Sequence, residues 1–342
     1  MRLKFYIVGL ILFIAIGTWL PGCSDSGNKA KFILPGPGTG STGPWRFAVV
    51  GDTHVTVTSS EIPAEIVQSI LNDNVKLVVV PGDLANAGKA CSAVQFEEQL
   101  NAWLAVMAPL YAAGIDVYPV RGNHENDVTA HLAVWQNIFS GSYALPGNGP
   151  AGETGLTYSF TVNNALFIGV DQYATMYTVN QTWLDQQFAD NSTRPHVFVF
   201  AHEPAFKVFH QVGFHEYVAG RDAFWSSMSN AGVRVFFCGH EHLYDLARID
   251  DGDGNESNDV YQCASGAGGG PLHDKHNYNG NNSIYTPIQL HHAVEFGYVL
   301  VEVSGVTNDD LDVTLTWKQR TFDPGTSTYI YVATHSFTCK AY

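Results

Sequence analysis

The chain has 342 residues, of which 45% are apolar and only 14% charged, with a formal net charge of −15. The apolar share supports a full hydrophobic core and excludes global disorder. The acidic balance excludes a nucleic-acid binder, which needs a cationic face to displace counterions; a phosphate-handling site here would need positive charge supplied by metal ions.

The N-terminus carries Arg2 and Lys4, then an apolar run from Phe5 to Leu20. That is the charged region and apolar region of a signal peptide, read here as residues 1–22. The run is short for a membrane span, which needs roughly 20 residues. It ends at Leu20-Pro21-Gly22-Cys23-Ser24. This stretch resembles a bacterial lipobox, in which the cysteine is lipidated and becomes the mature N-terminus. Pro21 departs from that pattern, and plain secretion or an uncleaved anchor are the other readings. The expectation is an exported lipoprotein facing the periplasm or cell surface, attached to the membrane through Cys23. Ser24 resembles an outer-membrane sorting signal. Loss of the leader leaves 15 basic residues against 32 acidic ones, a formal −17. Residues 23–44 are rich in Gly, Pro and Ser and read as a flexible tether. A single folded domain is expected over 45–342, with β-strands at its C-terminal end.

From Trp45 a short apolar run repeatedly stops at a small residue and is followed by metal-ligand types. Phe47–Val50 leads to Asp52 and His54, and Leu77–Val80 to Asp83. Val117–Val120 leads to Asn123 and His124, Val197–Phe200 to His202, and Val233–Phe237 to His240 and His242. Runs of β-branched and aromatic residues suit strands buried on both faces. Ile66, Val67, Ile70 and Leu71 fall at helical spacing, as do Leu100, Leu104, Met107 and Leu110. Further helices are expected near 129–140, 181–190 and 221–231. Alternating strands and helices predict an α/β domain, whose ligands gather where strands end. After a polar interruption at Asp250–Asp259, Val260–Cys263 reads as a strand entering a glycine-rich loop, Ser265–Gly270. That loop lacks nucleotide-binding spacing and is read as giving the chain room beside the ligands. Strands near 293–303, 311–318 and 328–338 are expected to complete a second sheet.

Asp, His and Asn make a mixed oxygen and nitrogen set suited to Mn, Fe or Zn. Any one of them alone would be structural; seven in five matching contexts point to one shared site. In extended backbone, residues i and i+2 face the same side, so Asp52 with His54, and His240 with His242, can aim together.

Gly51-Asp52-Thr53-His54, Gly82-Asp83, Gly122-Asn123-His124-Glu125, Ala201-His202 and Gly239-His240-Glu241-His242 match, in order, five signature blocks. In these, across roughly residues 45–304, the chain resembles the calcineurin-like metallophosphoesterases. Thr182-Trp183-Leu184 and Ser265–Gly269 add to the resemblance. It implies a four-layer β-sandwich of two mixed sheets flanked by α-helices. It implies two divalent or trivalent metal ions, one held by Asp52, His54 and His242, the other by Asn123, His202 and His240, with Asp83 bridging. His124 would stand beside them as the catalytic general acid. The implied activity is hydrolysis of a small phosphomonoester or phosphodiester, through in-line attack by a metal-bridging hydroxide. Two divalent ions outweigh two aspartates and a hydroxide, leaving a site of about +1 that attracts phosphate. The alternative is a non-catalytic metal-binding surface lipoprotein that retains the fold.

Purple acid phosphatases share several of these blocks but place a ligand tyrosine three residues after the second-block aspartate. Here that residue is Asn86, which argues against an Fe(III)–tyrosinate centre. Glu125, Glu203 and Glu241 each follow a site histidine; they either orient imidazoles or are solvated loop carboxylates. His210, Phe214, His215, Tyr217, His273, His276 and Tyr278 either line the pocket mouth or are ordinary loop residues. His291 and His292 have no assigned role. Asp251, Asp253, Asn255, Ser257 and Asp259 alternate like a calcium loop, but Glu256 and Gln262 stand where an EF-hand has Gly and Glu, so a solvated turn is the competing reading. Cys91, Cys238, Cys263 and Cys339 allow three pairings or buried thiols.

Overall fold

Side-chain alternation along the first strand sets the layering. In β1 (Trp45–Val49), Trp45, Phe47 and Val49 face one core while Ala48 faces another. The computed structural model describes residues 43–274, 278, 283–305 and 312–340. The leader, Cys23, the tether up to residue 42, and His276 lie outside the described residues.

The first half continues through α1 (Glu61–Asn72), β2 (Leu77–Pro81), α2 (Ala93–Ala112), β3 (Asp116–Val120), α3 (Asn123–Asn126) and α4 (His131–Ile138). Then come β4 (Tyr158–Val162), β5 (Ala165–Gly169), α5 (Gln181–Asp190), β6 (His196–Phe200), α6 (Val218–Asn230) and β7 (Val235–Cys238). The chain ends with β8 (Tyr244–Asp250), β9 (Val260–Ser265), β10 (Thr286–Ala293), β11 (Gly297–Val303), β12 (Asp312–Asp323) and β13 (Thr328–Lys340).

Two mixed sheets result. One is ordered β13-β12-β11-β1-β2-β3, the other β10-β8-β9-β7-β6-β5-β4. The inner faces of the two sheets share a core containing Phe47, Phe167, Phe198, Phe237 and Trp317. Outside the first sheet, Ile66, Val67 and Ile70 of α1 and Phe96, Leu100 and Trp103 of α2 pack on Val78 and Val80. Outside the second, Leu184 of α5 and Phe224, Trp225 and Met228 of α6 pack on Ile168, Val199 and Phe236. This is the expected four-layer α/β sandwich.

The late strands differ from expectation in one respect. They extend the sheet of the first strands, because β11 pairs antiparallel with β1, Trp45 opposite Val303. The second sheet is built instead from β4 to β10. The hairpin β4–β5 and strand β8 were not expected from periodicity. The four cysteines are free and buried, so no disulfide staples the described residues.

Candidate metal centre

All five ligand-bearing segments begin where a strand ends: after β1, β2, β3, β6 and β7. β1, β2 and β3 run parallel, as do β5, β6 and β7, so their C-terminal ends share one edge of each sheet. The turns there are tight. Asp52, His54, Asp83 and His240 all hold positive φ, at 54°, 44°, 51° and 67°. Asp52 and His54 therefore do not converge through extended alternation, as the i, i+2 argument expected. They converge because two left-handed residues curl the chain after β1. Such backbone is costly for residues with a Cβ and is held by its surroundings. The amide of Asp52 donates to the Gly82 carbonyl, and that of His54 to the Asp83 carbonyl. The His240 amide donates to both Asp52 carboxylate oxygens, at 3.0 and 2.8 Å. The His124 amide donates to Asp83 Oδ1 at 3.0 Å. A Cβ on Gly122 would run into that same carboxylate. The glycine loop does give room: a Cβ on Gly270 would lie 2.8 Å from the His54 ring.

The seven side chains form one continuous set. Asp52 Oδ1 lies 3.3 Å from His242 Nε2, and His54 Nε2 lies 3.4 Å from Asp83 Oδ2. That same Oδ2 is 3.5 Å from His202 Nε2. His202 Nε2 and His240 Nδ1 each lie 3.0 Å from Asn123 Oδ1, and 3.2 Å from each other. Donor atoms each about 2.1 Å from a common ion sit roughly 3–3.4 Å apart, so these spacings fit cation coordination. Asp83 Oδ2 lies beside a side-chain donor of each half, His54 Nε2 and His202 Nε2, the position a bridging ligand requires. Asp52, His54, Asp83 and His242 are all buried, with donor atoms within 4.8 Å of one another. His54 Nε2 is buried with no hydrogen-bond partner, a cost that a bound cation would remove. The donor set thus fits a pair of metal ions.

In three of the four ligand histidines the other ring nitrogen is fixed from behind. His202 Nδ1 lies 2.9 Å from the Pro81 carbonyl, His242 Nδ1 2.7 Å from the Pro271 carbonyl, and His54 Nδ1 3.3 Å from Asn86 Oδ1. Such contacts set the tautomer and turn Nε2 toward the site. Asn86, noted in the sequence only as a missing tyrosine, is one of these holders.

Electrostatically the two halves differ. Burial acts to raise the Asp52 and Asp83 carboxyls, but the surrounding imidazoles hold both well below the usual range. Burial acts to lower His54, yet the Asp52 and Asp83 carboxylates that face it push it up to about 10. Burial, with His202 and His210 alongside, pushes His240 down to about 3. His124 stands at the rim, its Nε2 3.9 Å from Asp83 Oδ2, its ring edge-on to His54 at 4.5 Å. Burial lowers its pKa.

Glu125, Glu203 and Glu241 are buried, which overturns the solvated reading. Nor do they orient the imidazoles next to them in sequence; they hold loops. Glu125 accepts from the amides of Asp83, Ala85 and Gly122. Burial and the Asp83 charge push its carboxyl up to about 7 against the pull of those donors. Glu203 accepts from Tyr173 Oη at 2.7 Å and the Phe214 amide at 2.7 Å. Glu241 accepts from the amides of residues 208–210 and lies 3.0 Å from His210 Nδ1.

Of the pocket-mouth candidates, His210 and His273 flank the ligands. The His210 ring is 4.2 Å from that of His240, and His273 stacks on His242 at 4.7 Å. Phe214 and His215 are buried, Tyr217 is exposed, and Tyr278 bonds Asp245. His291 stacks on His335 and His292 lies 3.3 Å from Asp245.

Residues 46–244 match the family model described as calcineurin-like phosphoesterase. Purple acid phosphatase 22 of Arabidopsis thaliana is 26% identical over 254 residues, covering 70% of this chain and 54% of the relative. The chain thus spans about half the length of that relative. Among solved structures, purple acid phosphatase PPD1 from yellow lupin superposes with a TM-score of 0.62 at 17% identity, over 90% of this chain and 55% of that one. GAP50, described as the anchor in the inner membrane complex of Plasmodium, gives 0.57 at 16%, over 88% and 90%. These two likenesses concern the fold. The family match covers more than half of the sequence and all five signature blocks, and on that ground the chain belongs to the calcineurin-like phosphoesterase family.

Proposed function

We propose that this chain is an exported, dinuclear-metal phosphoesterase acting on a phosphomonoester or phosphodiester. What supports the reading most is the run of donor atoms 3.0–3.9 Å apart from His242 to His240 through Asp52, His54, Asp83, His202 and Asn123. Asp52, His54 and His242 hold one ion, Asn123, His202 and His240 the other, and Asp83 both. Mn, Fe and Zn suit this donor set. The bound ions supply Lewis acidity and a water of lowered pKa. Asn123 completes its ion without cancelling charge. His124, adjacent to a ligand but not needed as one, gives a proton from its imidazole to the departing alkoxide. Within this family, the combination of an intact donor set and His124 favours hydrolysis over a non-catalytic role.

Export and anchoring are read from the leader and Cys23. They are tested by fractionating a Cys23→Ser variant, which should leave the membrane fraction. The enzymatic reading is tested with Mn²⁺-loaded protein on an aryl phosphate and a bis-aryl phosphate, with metal content measured alongside. Turnover of either ester is expected. Two tightly bound metals without turnover of either would favour the other reading, a metal-binding surface lipoprotein; that GAP50 shares this fold and is described as an anchor gives that reading its standing.

A further inference from the structure

Strand alternation alone would turn His291 and His335 away from the core between the sheets. On β10, Gln289 lies opposite Ala247, which faces the helices, so His291 two residues on should face them too. A bulge at Leu290 prevents this, and His291 lies opposite Leu246, on the inner face. β13 repeats the device. Ala333 lies opposite Lys318, which reaches outward to Asp73 at 2.9 Å, and Thr334 is the extra residue. His335 therefore lies opposite Trp317, again on the inner face. Bulges re-aim side chains and are designed features more often than defects. Here two of them, on edge strands of different sheets, aim two histidines at each other.

The two rings stack, with centroids 3.9 Å apart and planes 7° apart. β10 and β13 are the edges of their sheets, so the stack closes one open side of the sandwich. Two further ring pairs cross between the sheets there, Tyr244 on Trp317 at 4.5 Å and Tyr261 on Phe337 at 4.7 Å. Of the three, the histidine pair is the one that can take up protons.

The groups around the pair do little to neutralise a positive charge. Tyr244 Oη lies 3.4 Å from His335 Nδ1, and burial keeps that hydroxyl neutral. Asp245 points to the other face of β8, where His292 at 3.3 Å and the Tyr278 hydroxyl occupy it. Glu295 is exposed, beyond the end of β10. Lys318, beside Trp317 on β12, is turned outward. Burial, with His292 alongside, lowers the pKa of His291 against the pull of Asp245 and Glu295. Burial, with His291 alongside, lowers that of His335.

We propose that the His291–His335 stack is a proton-operated latch between the two sheets, closed at neutral pH and released by acid. This goes beyond the phosphoesterase reading and does not rest on it. A histidine of the unfolded chain takes its proton near about pH 6.5, whereas in the closed stack both rings resist it. The stabilisation from the stack is therefore complete above about pH 6.5 and is lost as the pH falls below it. Two imidazolium rings face to face repel each other, and the edge strands that carry them, each paired on one side only, part first.

The test is thermal melting of the full metal-loaded chain from about pH 8 to about pH 5, for wild type and His335→Phe. Phenylalanine keeps a flat ring for the stack and cannot be protonated. Over that range the wild-type Tm should fall further than that of the variant, by roughly 2–4 °C. His291→Phe should behave in the same way. Parallel curves for wild type and both variants would overturn the latch. Hydrogen exchange of the wild type decides the matter even where neither variant folds. At about pH 5, compared with about pH 7.5, residues 286–293 and 328–340 should lose protection relative to β2 and β3, after correction for the intrinsic exchange rate. Relative protection that does not change with pH would overturn the latch.

Discussion

Two groups of carboxylates gather on this protein, and they behave in opposite ways. Asp52 and Asp83 meet His54 and His242 in the buried centre, whereas Asp250, Asp251 and Asp259 meet in the loop between β8 and β9. Both bring donor atoms within 4.8 Å of one another. In the loop those atoms are already engaged. Asp250, Asp251 and Asp253 each accept from the amide two residues on, and Asp259 pairs with Arg248 at 2.7 Å. In the centre, the Asp83 Oδ2 and His54 Nε2 atoms face inward, and the backbone around them is held in left-handed turns. Proximity of acids does not make a cation site. What makes one is lone pairs left over in a place where water cannot serve them and where the frame resists relaxing to pair them.

The difference is broken most severely at Asp83. Asp83→Asn removes the one charge that both halves share while keeping an oxygen to accept the His124 amide. The fold should survive. Metal affinity should fall by more than the roughly 10–100-fold that loss of an outer partner costs, at both positions together. Elemental analysis of the purified variant showing two metals still tightly bound would refute the bridging role.

A smaller effect separates ligand from acid within the same centre. His124→Asn should leave metal content intact and slow turnover by about 10²–10⁴-fold on an alkyl phosphoester, the usual worth of a proton donor. A nitrophenyl ester, whose leaving group needs no proton, should suffer least. Equal losses on the two esters would show that His124 stabilises phosphoryl oxygens instead, and lost metal would show that it is a ligand.

The contrast also explains what the sequence made legible. Each ligand followed an apolar run that ends at a small residue, so Asp52, Asp83, Asn123, His202 and His240 stood out together. The groups that hold them did not. Glu125 reads like any loop acid, and its three backbone donors come partly from residues about 40 positions away. Asn86 reads as an absence, yet it fixes the His54 ring. The β4–β5 hairpin carried a usable signal, Asn163-Asn164 between apolar runs with φ 51° at Asn163, the chemistry of a tight two-residue turn. The pairing of β11 with β1 carried none, since it joins segments about 250 residues apart and is decided by tertiary packing.

The smallest effect is expected in the loop. Asp253 is fully exposed, and bonds from Asn258 and from the Asn255 amide lower its pKa. Its Oδ1 accepts from Asn255, whose own Oδ1 accepts from Ser257, so the loop is a run of local turns closed by side chains. Asp253→Asn keeps an oxygen for the Asn255 amide and removes only the charge. Metal content and turnover should match wild type, because the Asp253 carboxylate is spent on Asn255 and Asn258 of its own loop. Stability should stay close to that of wild type, within about 1–2 °C in Tm, as at other surface positions. Thermal melts with and without added Ca²⁺ carry the decision. If the carboxylates are fully engaged by the chain, calcium leaves the Tm of both proteins unchanged. A calcium-dependent rise in wild type that disappears in Asp253→Asn would mean that the ion displaces those local bonds, and that the loop has lone pairs to give after all.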